Sequence, residues 1–370
     1  MFALLTFAMA LSVESPVDAR PAGQARTLDA EAAPDTPAAY LALALDHSAS
    51  VRSAWERWQA AEQRVAVARG LPEPTLSFGA FVQSVETRVG PQLGKVSLQQ
   101  TVPWPGRLAA ASDGATAEAR AARMGFEAEV LAVRSRVLDR YWALWLLRAN
   151  RDVHVDHLAV LDDLSTTVRA RVEVGKASLA DLQQVDLSRA RLAEDIASME
   201  AAEHAAMAGL RAALGLRSAE LLPTPVAPPD ATLPTEERAL LVARVLAHPV
   251  QAQAQARVEG AEAGLRGSRA QRLPSFAVGA DYIIIGPAEM PDVEDDGKDA
   301  IAVGVGLQLP IWQRRYAQGI QAAEATTRAA QADARGRADA AVAQLDTVFA
   351  EVRDQARRLR ITTRVAVSQH

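Results

Sequence analysis

Four stretches of the chain alternate apolar and polar residues with a period of two. In the first, Leu76, Phe78, Ala80 and Val82 fall on one face, and Thr75, Ser77, Gly79 and Gln83 on the other. In the second, Val96, Leu98 and Val102 oppose Ser97, Gln99 and Thr101. In the third, Phe276, Val278, Ala280, Tyr282 and Ile284 oppose Ala277, Gly279 and Asp281. In the fourth, Ile301, Val303, Val305, Leu307 and Leu309 oppose Ala302, Gly304, Gly306 and Gln308. This alternation predicts four β-strands, each with one apolar face and one small or polar face. At about 8 to 10 residues they approach the length of a tilted strand that crosses a bilayer. Alternation alone fits two soluble hairpins packed on a core equally well.

Between the strands the period changes to 3.5–3.6. From Gly106 to about Val174 the chain reads as one helix, on the order of 100 Å long at 1.5 Å per residue. Its apolar positions are Phe126, Val130, Val133, Val137, Tyr141 and Leu144. The next helix repeats the pattern with Leu182, Val185, Leu192, Ile196, Met199, Ala206 and Leu210, and the last with Val342, Leu345, Phe349, Val352, Ala356 and Leu359. This is coiled-coil periodicity with many alanines in the seam, which lets helices approach closely. In "VEVGKASLADLQQVD", Gly175 stands where a glycine ends a helix, and Ser178 with Asp181 opens the next in a capping-box pattern. The segment predicts a tight αα-hairpin at the far end of a long arm.

The order helix, strand, loop, strand, long helix occurs twice. "EPTLSFGA" at Glu73–Ala80 aligns with "LPSFAVGA" at Leu273–Ala280, and "VSLQQTVPWPGR" at Val96–Arg107 with "GVGLQLPIWQRR" ending at Arg315. The helices before them, Ala60–Arg69 and Gly260–Arg269, pair Glu62 with Glu262 and Arg69 with Arg269. The internal repeat divides the chain into a first repeat over 35–220, a proline-rich linker over 221–237 and a second repeat over 238–370. Short helices near Thr36–Asp46 and Thr235–Ala247 mirror each other and are expected to form a belt around the helical middle.

Composition narrows the function. The 370 residues are 49% hydrophobic but 5% aromatic, which suits close-packed alanine-rich helices better than one large globular core. The net charge of -5 comes from 40 basic and 45 acidic residues interspersed along the helices, and no basic block suggests nucleic acid. The absence of cysteine excludes disulfides, thiol catalysis and cysteine-ligated zinc. An apolar run from Phe2 to Val13 followed by small residues reads as a signal peptide over 1–19, although it has no basic leading region. No stretch is long enough to cross a membrane as a helix, so insertion would have to be by β-barrel. His154 and His157 share a helix face but have no evident third ligand. The run Asp292, Glu294, Asp296, Gly297 opens like a calcium loop, yet Val303 stands where a bidentate glutamate is needed. It reads as an acidic, solvated loop between strands. Trp55 with Trp58, and Trp142 with Trp145, are spaced for packing. Gly304 and Gly306 open no helix, and read as two small residues of a strand. No catalytic constellation emerges, so the expectation is a non-enzyme that needs no cofactor or metal.

The strand entry "LPEPTLSFG", the exit "QTVPWPGR", the hairpin "VGKASLADLQQVD", the second entry "HPVQAQAQARVEGAEAGLRGSRAQRLPSF" and the second exit "LQLPIWQRR" together resemble the TolC-like outer-membrane efflux proteins. The resemblance covers roughly Asp35 to the C-terminus. It implies a mainly α fold with a small β part. Coiled-coil α-hairpins form an α-barrel, and four transmembrane strands per chain contribute to a shared trimeric 12-stranded β-barrel. Four strands cannot close alone, and a dimer's eight or a trimer's twelve would satisfy the known range; the resemblance favours three. It further implies a passive exit duct for small molecules or metal ions in the outer membrane of a Gram-negative bacterium. The helical part would reach into the periplasm. The partners would be outer-membrane lipid, a periplasmic adaptor (membrane fusion protein) and an inner-membrane pump, in a tripartite system of the resistance-nodulation-division type or a type I secretion-like one.

Carried onto this sequence, the periplasmic tip is Val174, Gly175, Lys176, Ala177, Ser178, Leu179 and Asp181. Lys176 and Leu179 are candidates for adaptor contact, while Gly175 and Ser178 would be needed in any αα-hairpin. Pro103, Trp104, Pro105, Pro310 and Trp312 mark the joint between membrane barrel and helix. The tryptophans there either join an aromatic girdle at the interface or plug the joint. From Pro103 to Gly175 is 72 residues, and the same interval from Pro310 falls near position 382, past His370. The expectation is therefore a C-terminally truncated copy or a fragment. The competing classes are a periplasmic adaptor and a coiled-coil scaffold without channel activity; neither has a use for two repeats that each carry a membrane-length strand pair.

Overall fold

The computed structural model describes residues 37–216, 236–290, 292 and 294–367. The expected signal peptide and most of the expected linker lie outside the described residues. Among the described residues, seven helices and five strands follow one another as α1 (Pro37–His47), α2 (Ala49–Arg69), β1 (Thr75–Ala80), β2 (Glu86–Thr87), β3 (Gly90–Val102), α3 (Pro105–Glu173), α4 (Leu179–Leu214), α5 (Arg238–Leu246), α6 (Pro249–Ala270), β4 (Ser275–Ile285), β5 (Ala300–Gln308) and α7 (Gln313–Val367). They form two compact units, each drawing on both halves of the chain. One takes the described residues within 1–55, 126–248 and 340–370; the other spans 56–125 and 249–339.

In the first unit the core sits where α1, α3, α4 and α5 meet. Tyr40, Val137, Tyr141, Leu144, Leu210, Leu214 and Leu241 are fully buried there. Tyr40 meets Tyr141 edge-on with ring centroids 5.2 Å apart, and Trp142 in turn packs edge-on to Tyr141 at 4.8 Å. Of the six seam positions read on α3, Phe126, Val133, Val137, Tyr141 and Leu144 are buried and Val130 is half-buried. On α7 the seam buries Leu345 but leaves Leu359 62% exposed. Outward from the core, Glu203 accepts from Arg148 at 2.5 Å and from Arg151 at 2.6 Å, tying α4 to α3. The Glu203 carboxylate and Asp152 raise the Arg151 guanidinium above its ordinary value, the Asp152 hydrogen bond being the larger cause. The two short mirrored helices are present as α1 and α5, and Arg238 donates to both Asp346 carboxylate oxygens at 2.7 and 2.8 Å.

In the second unit, four helix segments lie beside one antiparallel sheet of order β1-β3-β4-β5, with β2 on the outer end of β3. Small residues set the spacing between α3 and α6. A β-carbon added at Gly260 would lie 3.6 Å from that of Ala117, and one at Gly267 would lie 3.5 Å from that of Ala110. Charges line the rim of this contact, with Arg120–Glu259 at 2.8 Å and Arg266–Asp113 at 2.9 Å.

The strands depart from the simple alternation in two ways. β1 ends at Ala80, short of Gln83, because the ladder becomes irregular there. Phe81 N–H donates to the Leu93 carbonyl at 3.1 Å, and Gln92 N–H to that of Val85 at 3.2 Å. β3 in turn begins six residues earlier than the pattern suggests, at Gly90. Gly90, Pro91 and Gly94 resemble turn residues and hide this extension, while a register shift between Gln92 and Gly94 absorbs the mismatch.

Candidate functional site

The sheet has two chemically distinct faces. Cross-strand partners place Leu76, Leu98, Ala280 and Val303 in one row, and Phe78, Val96, Tyr282 and Ile301 in another on the same side. Nothing among the described residues covers this side. Phe78 is 74% exposed, and Ile301, Val303 and Val305 are 75 to 76% exposed. The opposite side carries the rows Ser77, Ser97, Asp281, Ala302 and Thr75, Gln99, Gly279, Gly304. Lys95 and Asp281 form an ion pair on that side at 2.9 Å. A soluble sheet usually turns its apolar face inward; here the apolar face is exposed and the opposite face is polar.

The sheet ends in a joint. Pro105 is the first residue of α3, where a missing N–H costs nothing. Trp104 stacks on Phe276 with centroids 6.2 Å apart. Beside it, Arg107 closes the end of α6 onto the start of β4. Its guanidinium donates to the carbonyls of Ala270 at 3.2 Å, Gln271 at 2.8 Å and Leu273 at 2.8 Å, and to the Ser275 hydroxyl at 2.8 Å. The Ala270 carbonyl, at the last residue of α6, also accepts the Leu273 N–H at 3.0 Å, and the other two carbonyls lie in the turn that follows. At the second joint Pro310 accepts from the Gln313 side chain at 2.5 Å, and Trp312 is 68% exposed.

The hairpin tip is built as its residues dictate. Gly175 adopts φ +69, and two bonds close the helix end: Gly175 N–H to the Val172 carbonyl at 3.0 Å, and Lys176 N–H to that of Arg171 at 2.8 Å. This is the Schellman pattern. Ser178 then caps α4, with Asp181 N–H donating to its hydroxyl at 3.1 Å and its own N–H donating to Asp181 at 2.9 Å. Val174 and Leu179 stand 67% and 61% exposed beside exposed Lys176, while Ala177 is half-buried.

The weaker constellations are occupied locally. His154 Nδ1 lies 2.8 Å from the Asn150 carbonyl of its own helix. In the acidic loop, Asp296 accepts from Ala288 N–H at 2.6 Å, and Asp299 from Ile285 N–H at 2.8 Å and from the Tyr282 hydroxyl. Asp296 thus serves a donor of its own loop, and Asp299 two donors of β4.

The outer membrane efflux protein family matches residues 40–216 and 246–369. The chain belongs to that family. Protein CyaE of Bordetella pertussis is 27% identical over 299 residues, 76% of this chain; the chain spans 62% of that relative's length. Among solved structures, the fold is similar to CusC at a TM-score of 0.74 and 15% identity, covering 97% of this chain and 86% of that one. It is also similar to VceC of Vibrio cholerae, at a TM-score of 0.70 and 20% identity, covering 88% and 80%. The mainly helical chain with its small antiparallel sheet thus has the TolC-like fold, as the sequence motifs suggest.

Arg107 and its partner Ser275 hold the first joint together and were passed over by sequence reasoning. The available signal was an arginine three residues after the tryptophan in both strand exits.

The tip offers a local test. Substituting Ser178→Ala should weaken the start of α4 by about 1 kcal/mol, the usual cost of an N-cap, read as faster amide exchange at Asp181. The Ser178 hydroxyl, and then its backbone N–H, hold the Asp181 carboxyl below the ordinary aspartate value. A depressed folded value means that the stabilisation is present above the ordinary value and lost as pH falls through the folded one. Exchange at Ser178, corrected for intrinsic rate, should therefore stay flat down to about pH 4 and rise below it. A flat profile throughout would show that the box contributes nothing.

Proposed function

We propose that the chain is a subunit of an exit duct in the outer membrane of a Gram-negative bacterium. Three copies join their sheets into one twelve-stranded barrel with the apolar face toward lipid. The polar face, with Lys95 and Asp281, lines the lumen. The helices continue the conduit through the periplasm, and the tip from Val174 to Asp181 meets a periplasmic adaptor and an inner-membrane pump. Export through it is passive, without a chemical step, and carries small molecules or metal ions. Trp104 and Trp312 sit at the inner interface of the membrane, where an amphipathic ring is favoured.

The observation that carries this reading is the uncovered apolar side of a sheet whose other side is polar. Four long strands cannot close on themselves, so the open edges of β1 and β5 need partners. The test is fractionation of cells expressing the chain, chemical cross-linking of the outer-membrane fraction, and conductance of the purified material in planar bilayers. A cross-linked trimer with steady conductance is expected. A peripheral or soluble monomer would remove the duct and leave an adaptor or scaffold.

A further inference from the structure

The two joints share one backbone build but differ in what they hold. Arg107 N–H donates to the Trp104 carbonyl at 2.8 Å, and Arg315 N–H donates to that of Trp312 at 3.0 Å, the same turn 208 residues later. At the first joint the tryptophan stacks on Phe276 and the arginine spends its donors on residues 270–275. At the second joint both side chains are exposed. They line a shallow open groove with Ile311, Gln313, Arg314 and Gln318.

The missing target can be read from the repeat. The segment that Arg107 closes, Ala270 to Phe276, corresponds 200 residues earlier to Gly70 to Leu76. The chemistry matches position by position. Backbone carbonyls recur at Gly70, Leu71 and Glu73, a hydroxyl at Thr75 for Ser275, and an apolar side chain at Leu76 for Phe276. Ala270 and Ser275 are 8% and 3% exposed under Arg107, whereas Gly70, Leu71, Glu73 and Thr75 are all exposed and Leu76 is 55% exposed. Pro72 already accepts from Gln100 at 2.8 Å. Its counterpart is Arg272, whose carbonyl Arg107 does not use.

Connectivity decides what brings the two halves together. Arg107 follows β3 and closes the helix that precedes β4, the strand paired with β3. Arg315 follows β5, which stands at the opposite edge of the sheet from β1. The relation is restored only when β5 of one copy pairs with β1 of the next. We propose that Trp312 and Arg315 form a clasp on a neighbouring copy of this chain. Trp312 packs against Leu76, and the Arg315 guanidinium donates to the carbonyls of Gly70, Leu71 and Glu73 and to the Thr75 hydroxyl. A planar five-donor fork suits several convergent carbonyls, and the negative end of the α2 dipole favours a cation there. The contact is head-to-tail, so repeated rotation closes it into a ring. The clasp rests on the shared-barrel reading and adds to it the residues that lock each seam.

The chain contains no cysteine, which makes the test clean. Arg315→Cys is combined with Thr75→Cys, and separately Trp312→Cys with Leu76→Cys, the latter leaving Arg315 intact. Outer membranes are treated with a bis-maleimide about as long as an arginine side chain, a separation that a disulfide does not span, and run under denaturing conditions. Covalent dimers and trimers are expected from each of the two double variants and from none of the four single variants. Arg107→Cys with Ser275→Cys, the internal counterpart, should stay monomeric and migrate faster. The same fractions are cross-linked through amines to register the oligomer independently. An oligomer in which neither cysteine pair couples would overturn the clasp and leave the duct standing. The absence of any oligomer would overturn both.

Discussion

A Gly90→Ala variant is expected to lose most of its folded, membrane-inserted form. Gly90 opens β3 with φ +127, a backbone conformation that side chains rarely adopt. A β-carbon there would lie 1.8 Å from the Gly286 carbonyl oxygen, 2.9 Å from its carbon and 3.1 Å from Ala288 N. All three atoms are backbone, so no rotamer can relieve the clash. Gly286 cannot retreat cheaply either, because its N–H donates to the Pro91 carbonyl at 2.8 Å and so ties the end of β4 to the start of β3. Strained backbone alone costs on the order of 1–3 kcal/mol, and separating the two strand ends adds to it. The total is expected to reach about 3 kcal/mol or more, among the larger effects of a single substitution. Gly304→Ala is the control, since a β-carbon there meets nothing within 4 Å. The measurement is the yield of the heat-modifiable species in outer membranes. Equal yields from the two variants would show that the Gly90–Gly286 contact does not govern assembly of the sheet.

That glycine also marks the limit of what the sequence discloses. Period-two alternation located four strands and sorted their residues onto the correct faces, because each side chain's face depends only on its own place in the pleat. Gly175, Ser178 and Asp181 disclosed the hairpin, because caps are local chemistry. The extension of β3 back to Gly90 was hidden behind residues that usually make turns. The pairing of β3 with β4 was not legible, since it joins segments some 180 residues apart, and nothing in either segment's periodicity encodes the other. Arg107 was visible as a letter in a repeated motif but not as a clamp. Its role depends on where the end of α6 arrives in space. The apolar sheet face was readable as a pattern, while its being uncovered required the fold.

Removing that clamp gives the second large effect. Arg107→Ala strips four charge-assisted hydrogen bonds from the junction of α6 and β4. Water can replace the guanidinium at Gln271 and Leu273, which are exposed, so those two losses are small. The Ala270 carbonyl keeps the Leu273 N–H at 3.0 Å, whereas the Ser275 hydroxyl, on a residue 3% exposed, loses the guanidinium. An unsatisfied buried polar atom costs roughly 1–3 kcal/mol, so the variant should lose about 1–3 kcal/mol, read as a lower urea midpoint of the protein folded in lipid. Arg107→Lys keeps the charge but offers a compact ammonium in place of a fork. It should recover part of the loss, reaching Ser275 or one carbonyl but not all four acceptors. Arg107→Gln keeps hydrogen bonding without charge and should fall between lysine and alanine. If alanine and lysine variants unfold together, the guanidinium geometry is what matters. If all three match the parent chain, the α6–β4 junction is held by the stack of Trp104 on Phe276 and the small-residue seam beneath it, and Arg107 merely rests on a helix end that is already stable.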